Sequence, residues 1–195
     1  MDANSDYQAV LDFWFGAPGT PAHGTQRKEW FVKDAAFDAQ IRERFLALHA
    51  RADAGGLAAW EGAPESLLAL IIVFDQFPRN MFRDTPRAFA SDARALAAAR
   101  LMVERGWDTR LPALQRGFVY LPFEHCEDLA AQEEALRLFG KLAAEEPASA
   151  ESLEWARKHH EVVQRFGRFP HRNAILGRAS TPQEEEFLRE PGSRF

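Results

Sequence analysis

The sequence predicts an all-α protein that folds as a single helical domain over residues 1–195. Three observations support this class. Apolar residues recur every three or four positions in one segment after another, and glycine and proline separate these segments. No segment shows the alternation of apolar and polar residues that is typical of a β-strand with a partner strand elsewhere. The pattern gives about eight helices joined by short loops, in a chain long enough to bury a sizeable core.

The first two helices are predicted from amphipathic stripes. Residues 5–16 carry apolar side chains on one face and end at Gly16. Residues 34–55 repeat this arrangement and end at Gly55. A glycine directly after the last periodic residue is a common helix stop.

The third helix, residues 64–77, is apolar on all sides and is therefore expected to be buried at the centre of the fold. Its Ile-Ile-Val run at 71–73 also suits a strand, but no partner strand is visible. Because proline disfavours helical geometry in the preceding residue, Pro78 should end this helix near Phe77. The fourth helix, 85–106, begins with Thr-Pro and ends at a glycine.

The fifth helix is short, residues 112–121, and is expected to stop before Pro122. The sixth follows directly over 123–146, with Glu124 and His125 in its first turn and Leu129 facing inward.

The seventh helix, 149–167, places Trp155 and His159 on an inward stripe and stops at Gly167. The eighth, 181–190, begins with a capping box made by Thr181 and Glu184.

The net charge and composition of the chain limit its possible partners. A net charge of −5 argues against nucleic-acid binding, and the longest apolar run is too short for a membrane span, so neither partner is expected. A single cysteine excludes an internal disulfide, which together with a polar N-terminus favours a cytoplasmic location. Both monomer and homodimer remain open.

Two stretches of the sequence resemble each other, Phe-Pro-Arg-Asn at 77–80 and Phe-Pro-His-Arg-Asn at 169–173. Each follows a helix and ends in Arg-Asn. We expect both to end a helix and to aim polar groups at one internal site. The predicted ligand-binding residues are Arg79, Asn80, Arg168, His171, Arg172 and Asn173.

The predicted catalytic residues come from charged groups in apolar surroundings. Asp75 follows eight apolar residues on the third helix, and His159 lies on an inward stripe. Glu124 and His125 begin an acidic segment, 123–136, that should face the basic segment 155–180 or share a ligand with it, because inward charges need partners. The candidates for proton transfer are Asp75, Glu124, His125 and His159.

Known cofactor and nucleophile motifs are absent from the sequence. It contains no HExxH or paired-cysteine spacing, no GxSxG, no P-loop and no GxGxxG that opens a helix, so no metal and no cofactor are expected. Cys126 stands beside His125, but neighbouring helical residues point about 100° apart, which makes a Cys-His pair a poor prediction.

Several blocks resemble one bacterial family. They are VLDFWFG, FDQFPRNMFR, AFASD, YLPFEHCEDLAAQ, RFGRFPHRNAILGR and STPQEEEFL. Together they make the chain similar to proteins grouped as domain of unknown function 924. The resemblance implies a tetratricopeptide-like layer of antiparallel helix pairs, and it carries no established activity.

Two functions from different classes follow. In the first, the Arg, Asn, carboxylate and His residues form a polar pocket that binds a small anionic molecule and can catalyse its conversion. In the second, the protein is a tetratricopeptide-like interaction scaffold that grips an acidic peptide or another protein.

Overall fold

The computed structural model describes residues 3–193 and is all-helical over that range, with no strand. Within these described residues there are eight α-helices: α1 (Ala3–Phe15), α2 (Ala35–Asp53), α3 (Pro64–Met81), α4 (Asp92–Glu104), α5 (Ala113–Glu124), α6 (Leu129–Glu145), α7 (Ala150–Phe166) and α8 (Pro182–Phe187). The all-α prediction with about eight helices is confirmed. The antiparallel, tetratricopeptide-like arrangement stays a prediction.

Helix α3 lies at the centre, as its sequence predicted. Every residue from Ser66 to Pro78 is buried, and α1, α2, α4 and α5 pack around it. Further contacts join α4 with α5, α5 with α6 and α7, and α6 with α7. No helix in the described part of the chain is both long and apolar enough to cross a membrane.

The expected end of α3 near Phe77 is wrong, because the helix continues through Pro78 to Met81. Proline has no N–H to donate to the carbonyl four residues earlier, which here belongs to Phe74. The buried Ser91 hydroxyl donates to that carbonyl instead, at 2.7 Å. A side chain from the start of α4 therefore replaces the missing backbone hydrogen bond.

The expected boundary between the fifth and sixth helices is also wrong. Helix α5 passes through Pro122 to Glu124, and His125 caps its C-terminus. Helix α6 begins only at Leu129, because the Asp128 side chain accepts a hydrogen bond from the Ala131 N–H as its N-cap. Glu124 and His125 thus lie at the end of one helix rather than at the start of the next.

Two residues expected to face inward lie at the surface. Leu129 is 40% exposed at the start of α6, and Trp155 is 42% exposed on α7, where the Lys158 ammonium lies over its ring. His159 on the same helix is buried, as predicted. The predicted capping box of α8, made by Thr181 and Glu184, is confirmed.

Candidate functional site

A buried carboxylate on α3 is the centre of the candidate site. Asp75 is 0% exposed and accepts from the Gln76 amide at 2.5 Å, while the Arg79 guanidinium lies 3.1 Å from its Oδ1. Asp75 and Arg79 are one helical turn apart, so they meet only because α3 continues past Pro78. Burial would raise the pKa of Asp75, but Arg79 and His125 outweigh it and lower that pKa to about 2.

His125 is held in one orientation by Asp75. Its Nδ1 lies 2.8 Å from Asp75 Oδ1. An ionised carboxylate only accepts, so Nδ1 donates and the Nε2 of a neutral ring carries a lone pair. Burial, reinforced by Arg79, lowers the pKa of His125 against the opposing effect of Asp75. The ring is therefore neutral near pH 7 and has the form of an oriented general base.

Two arginines from the two similar stretches meet at one carboxylate, that of Asp92 in the first turn of α4. Arg79 binds it in a bidentate manner, with N–O distances of 2.8 and 3.0 Å. Arg172 reaches the same carboxylate with its Nη1 at 3.4 Å. The prediction that the two stretches share an internal site therefore agrees with the contacts of their arginines.

The environment of Arg172 is unusual for a cation. The residue is 6% exposed, and its guanidinium carbon lies 4.6 Å from the centroid of the Phe89 ring and 4.5 Å from that of the Phe169 ring. Its Nε is buried and has no hydrogen-bond partner in the described structure. Burial, together with Arg79, lowers the pKa of Arg172 to about 10, so the group is still charged at pH 7.

A second carboxyl and imidazole pair lies next to the first. Glu124 Oε1 is 3.1 Å from His159 Nδ1, which also lies 2.9 Å from the Trp155 carbonyl. A backbone carbonyl only accepts, so His159 Nδ1 carries the hydrogen. Burial, with a contribution from Asp75, raises the pKa of Glu124 to about 8, and burial lowers that of His159 to about 3. Both groups are therefore neutral at pH 7.

The four candidates for proton transfer, Asp75, Glu124, His125 and His159, thus come together. The rings of His125 and His159 lie 6.4 Å apart and join the two pairs. His171 lies at the edge of this group, with its ring 5.6 Å from that of Phe169.

The other predicted ligand-binding residues contact different parts of the molecule. The Asn80 amide donates to Asp38 on α2, which also binds Arg83. Arg168 pairs with Glu184 at the start of α8. The expectation that Asn80, Arg168 and Asn173 join Arg79 and Arg172 at one site is not met, because each binds a different partner outside that site.

The Asn173 side chain belongs to the C-terminal segment. It donates to Ser180 at 3.0 Å and accepts from Arg178 at 3.0 Å. Arg178 in turn forms a bidentate pair with Glu127, which also accepts from the Phe169 N–H at 2.8 Å. This contact confirms that the acidic segment 123–136 faces the basic segment 155–180, and it fixes the chain that carries Arg172.

Sequence reasoning missed Asp92, Phe89 and Phe169 as parts of the site. An acid in the first turn of a helix is common for electrostatic reasons, so nothing in the sequence set Asp92 apart. The phenylalanines were indistinguishable from core residues.

Two surface depressions are lined by none of the residues of this cluster. One, of about 480 Å³, is lined by Arg165, Phe166, Arg168, Thr181, Gln183 and Glu184. The other, of about 600 Å³, runs beside α4 and is lined mainly by apolar residues. The buried cluster instead reaches solvent at its rim, where the side chains of Arg79, Asp92 and His125 are 18, 20 and 16% exposed.

The described residues indicate neither a thiolate nor a set of metal ligands. Burial, with the nearby Asp128, raises the pKa of the Cys126 thiol, so it is protonated at pH 7. Among the described residues, no group of three or more His, Cys, Asp or Glu side chains is arranged to hold a metal ion.

Comparison with known proteins gives two matches. Residues 10–192 match the model of a family described as a bacterial protein of unknown function (DUF924). The chain is also similar to a solved structure of a protein of unknown function from Agrobacterium tumefaciens, with a TM-score of 0.85 and 40% identity over 96% of this chain and 99% of that one. No curated protein matches.

Proposed function

The chain belongs to the bacterial family DUF924, whose description names no activity. From the residues of the chain itself we propose that it binds a small anionic molecule at Arg79 and Arg172, and that His125 and Glu124 transfer protons. The observation that carries this proposal is the incompletely paired, buried guanidinium of Arg172.

A buried charge is costly unless it is paired and fully hydrogen-bonded. Arg79 meets this condition, since it binds Asp75 and Asp92 and donates to the Asp75 carbonyl at 2.6 Å. Arg172 does not, because its one carboxylate contact is long and its Nε is unpaired. A purely structural network has no need of such a residue, whereas an oxyanion placed beside it would complete its hydrogen bonds.

The acid and base assignments follow from the opposite shifts of two neighbouring groups. Glu124 keeps a proton at pH 7 and is able to donate it, and His125 presents an unprotonated Nε2 that is able to accept one. Asp75 orients His125 and stabilises the imidazolium that forms after proton transfer. The site therefore suits acid–base chemistry on an anionic substrate.

A thermal-shift screen of small carboxylates and phosphates tests the binding. The variant is Arg172→Met, which keeps most of the side-chain volume and removes the guanidinium. The control is Arg83→Met, which removes an arginine paired with Asp38 outside the cluster. We expect ligands that stabilise the wild type and the control but not Arg172→Met. Equal stabilisation of all three proteins would exclude Arg172 from the binding site.

The chemistry is tested separately with each ligand found in this way. The ligand is incubated with wild type and with His125→Asn, and products are followed by NMR. Loss of turnover with retained binding supports His125 as the base. Turnover at the wild-type rate in the variant would remove His125 from the mechanism.

An interaction scaffold is the second candidate, and the apolar groove beside α4 favours it. Leu57, Leu96 and Leu101 line this groove, which also carries two arginines, Arg94 and Arg100, and two glutamates, Glu61 and Glu104. A peptide with apolar anchors would fit these features, with its acidic side chains at the two arginines. Binding of such peptides that is unaffected by Arg94→Ala with Arg100→Ala would rule out this groove.

A further inference from the structure

We propose that Asp92 occupies the position of the ligand's anionic group in the free protein, and that the ligand is a carboxylate which exchanges with the Asp92 side chain at Arg79 and Arg172. This inference rests on the proposed function, because it assumes that the arginine pair binds a ligand. It goes further by naming the group that the ligand displaces and the chemical class that fits.

The contacts of Asp92 are those expected of a bound ligand. Its two oxygens each accept from a different nitrogen of Arg79, at 2.8 and 3.0 Å, and one of them also lies 3.4 Å from Arg172. The carboxylate therefore bridges two guanidinium groups, an arrangement that a second carboxylate can reproduce.

Asp92 can leave this position more easily than Asp75 can. Its side chain is 20% exposed, whereas that of Asp75 is fully buried. Asp92 also lies in the first turn of α4, where the helix dipole favours a negative charge whether or not the side chain contacts an arginine. The Asp92 carboxylate therefore keeps part of its stabilisation when the side chain turns toward solvent.

The nitrogens of Arg172 show where a ligand would form hydrogen bonds that Asp92 does not form. Two phenyl rings lie within 4.6 Å of the guanidinium carbon, and the N–H groups of a guanidinium point outward in its plane, so new hydrogen bonds form at its edge. The Nε on that edge is unpaired, and Arg172 contacts Asp92 only at a long distance. A free carboxylate is not tethered to α4 and is able to approach this edge more closely.

The exchange also limits what the ligand can be. Asp92 is attached to the protein and competes at a high effective concentration, so a carboxylate alone should bind the wild type weakly. A ligand that displaces Asp92 efficiently needs a second polar group, and His125, which is 16% exposed at the same rim, is able to contact it. The expected class is a small carboxylic acid with a second group that exchanges a proton.

The test uses acetate as the carboxylate probe and inorganic phosphate as the comparison, with the Arg172 Nε–H resonance followed by NMR. Asp92→Asn removes the competing charge with little change in shape. Asp38→Asn is the control, because it breaks another bidentate pair, with Arg83, outside the cluster. We expect Asp92→Asn to bind acetate with an affinity at least about tenfold higher than that of the wild type. Asp38→Asn should bind acetate with the wild-type affinity.

Acetate affinity that does not increase in Asp92→Asn, or that increases equally in Asp38→Asn, would overturn the exchange. Tighter binding of phosphate than of acetate by Asp92→Asn would overturn the carboxylate assignment. If the wild type binds anions through Arg172 and Asp92→Asn shows no gain, the exchange fails while the proposed function stands. If no anion binds to either protein, both fail.

A crystal structure of the wild type with a bound carboxylate tests the same point without any variant. The expected structure shows Asp92 turned away from Arg79 and the ligand carboxylate in its place. A ligand bound with both Asp92–Arg79 contacts intact would contradict the proposal.

Discussion

Replacing Ser91 by alanine tests how α3 passes through Pro78 and so brings Arg79 to Asp75. In the wild type the Ser91 hydroxyl donates to the buried Phe74 carbonyl at 2.7 Å, in place of the N–H that Pro78 lacks. Ser91→Ala leaves this carbonyl without its donor. An unsatisfied buried acceptor costs about 1–3 kcal/mol, and removing the buried hydroxyl itself offsets part of that, so we expect a loss of about 1–2 kcal/mol.

The cost of Ser91→Ala in stability should depend on the residue at position 78. In a Pro78→Ala background the new N–H donates to Phe74, so Ser91→Ala should then cost only about 0.5 kcal/mol. The double-mutant cycle therefore has a coupling energy of about 1 kcal/mol. Effects of proline on the unfolded chain cancel, because Pro78→Ala is present on both sides of the comparison.

Chemical denaturation followed by far-UV circular dichroism measures the four free energies of unfolding. A cost of Ser91→Ala that agrees in the two backgrounds to within about 0.3 kcal/mol would refute the reasoning. It would mean that the hydroxyl does not substitute for the missing backbone donor.

Three further predictions concern charge and backbone geometry. The pKa of Glu124 is raised from 4.5 to about 8, so the folded state binds the proton more tightly than the unfolded state and loses stability as the pH rises from about 5 to 8. Over this range the free energy of unfolding of the wild type, measured by denaturation, should fall by a few kcal/mol relative to that of Glu124→Gln. Parallel pH profiles of the two proteins would contradict this. Gly167 has φ of 70° and caps α7, so Gly167→Ala should cost about 1 kcal/mol. Gly140→Ala, inside α6 with open space around the added methyl group, should instead stabilise by about 0.5–1 kcal/mol; the same sign for both glycines would refute the argument. Glu127→Gln should cost about 1 kcal/mol, because it weakens the pair with Arg178, and an unchanged midpoint of thermal unfolding would contradict that contact.

Local rules predicted the helices well because their causes are local. Apolar spacing identified α2 and α7, the all-apolar sequence identified α3 as central, and Thr181 with Glu184 marked the start of α8. The rule for proline failed at Pro78, because its exception depends on Ser91, which lies 17 residues from the carbonyl that it satisfies. Nothing near Pro78 in the sequence contains that information.

The candidate site was predictable in part for a similar reason. Asp75, Glu124 and His159 stand out as polar residues in apolar surroundings, and the two arginines stand out through the repeated stretch. Asp92, which joins those arginines, lies 13 residues from one and 80 from the other. The asparagines share the repeat but bind different partners, Asp38 for Asn80 and Ser180 for Asn173, so similarity in sequence did not bring them together.

The central claim is that Arg172 serves a ligand rather than the stability of the fold. The most direct measurement is the free energy of unfolding of Arg172→Met in the absence of any ligand. Methionine is able to fill the space between Phe89 and Phe169, and Asp92 keeps its bidentate partner Arg79. We expect the variant to be at least as stable as the wild type, because a desolvated and incompletely bonded cation is removed. A loss of about 2 kcal/mol or more would show that Arg172 is a structural residue.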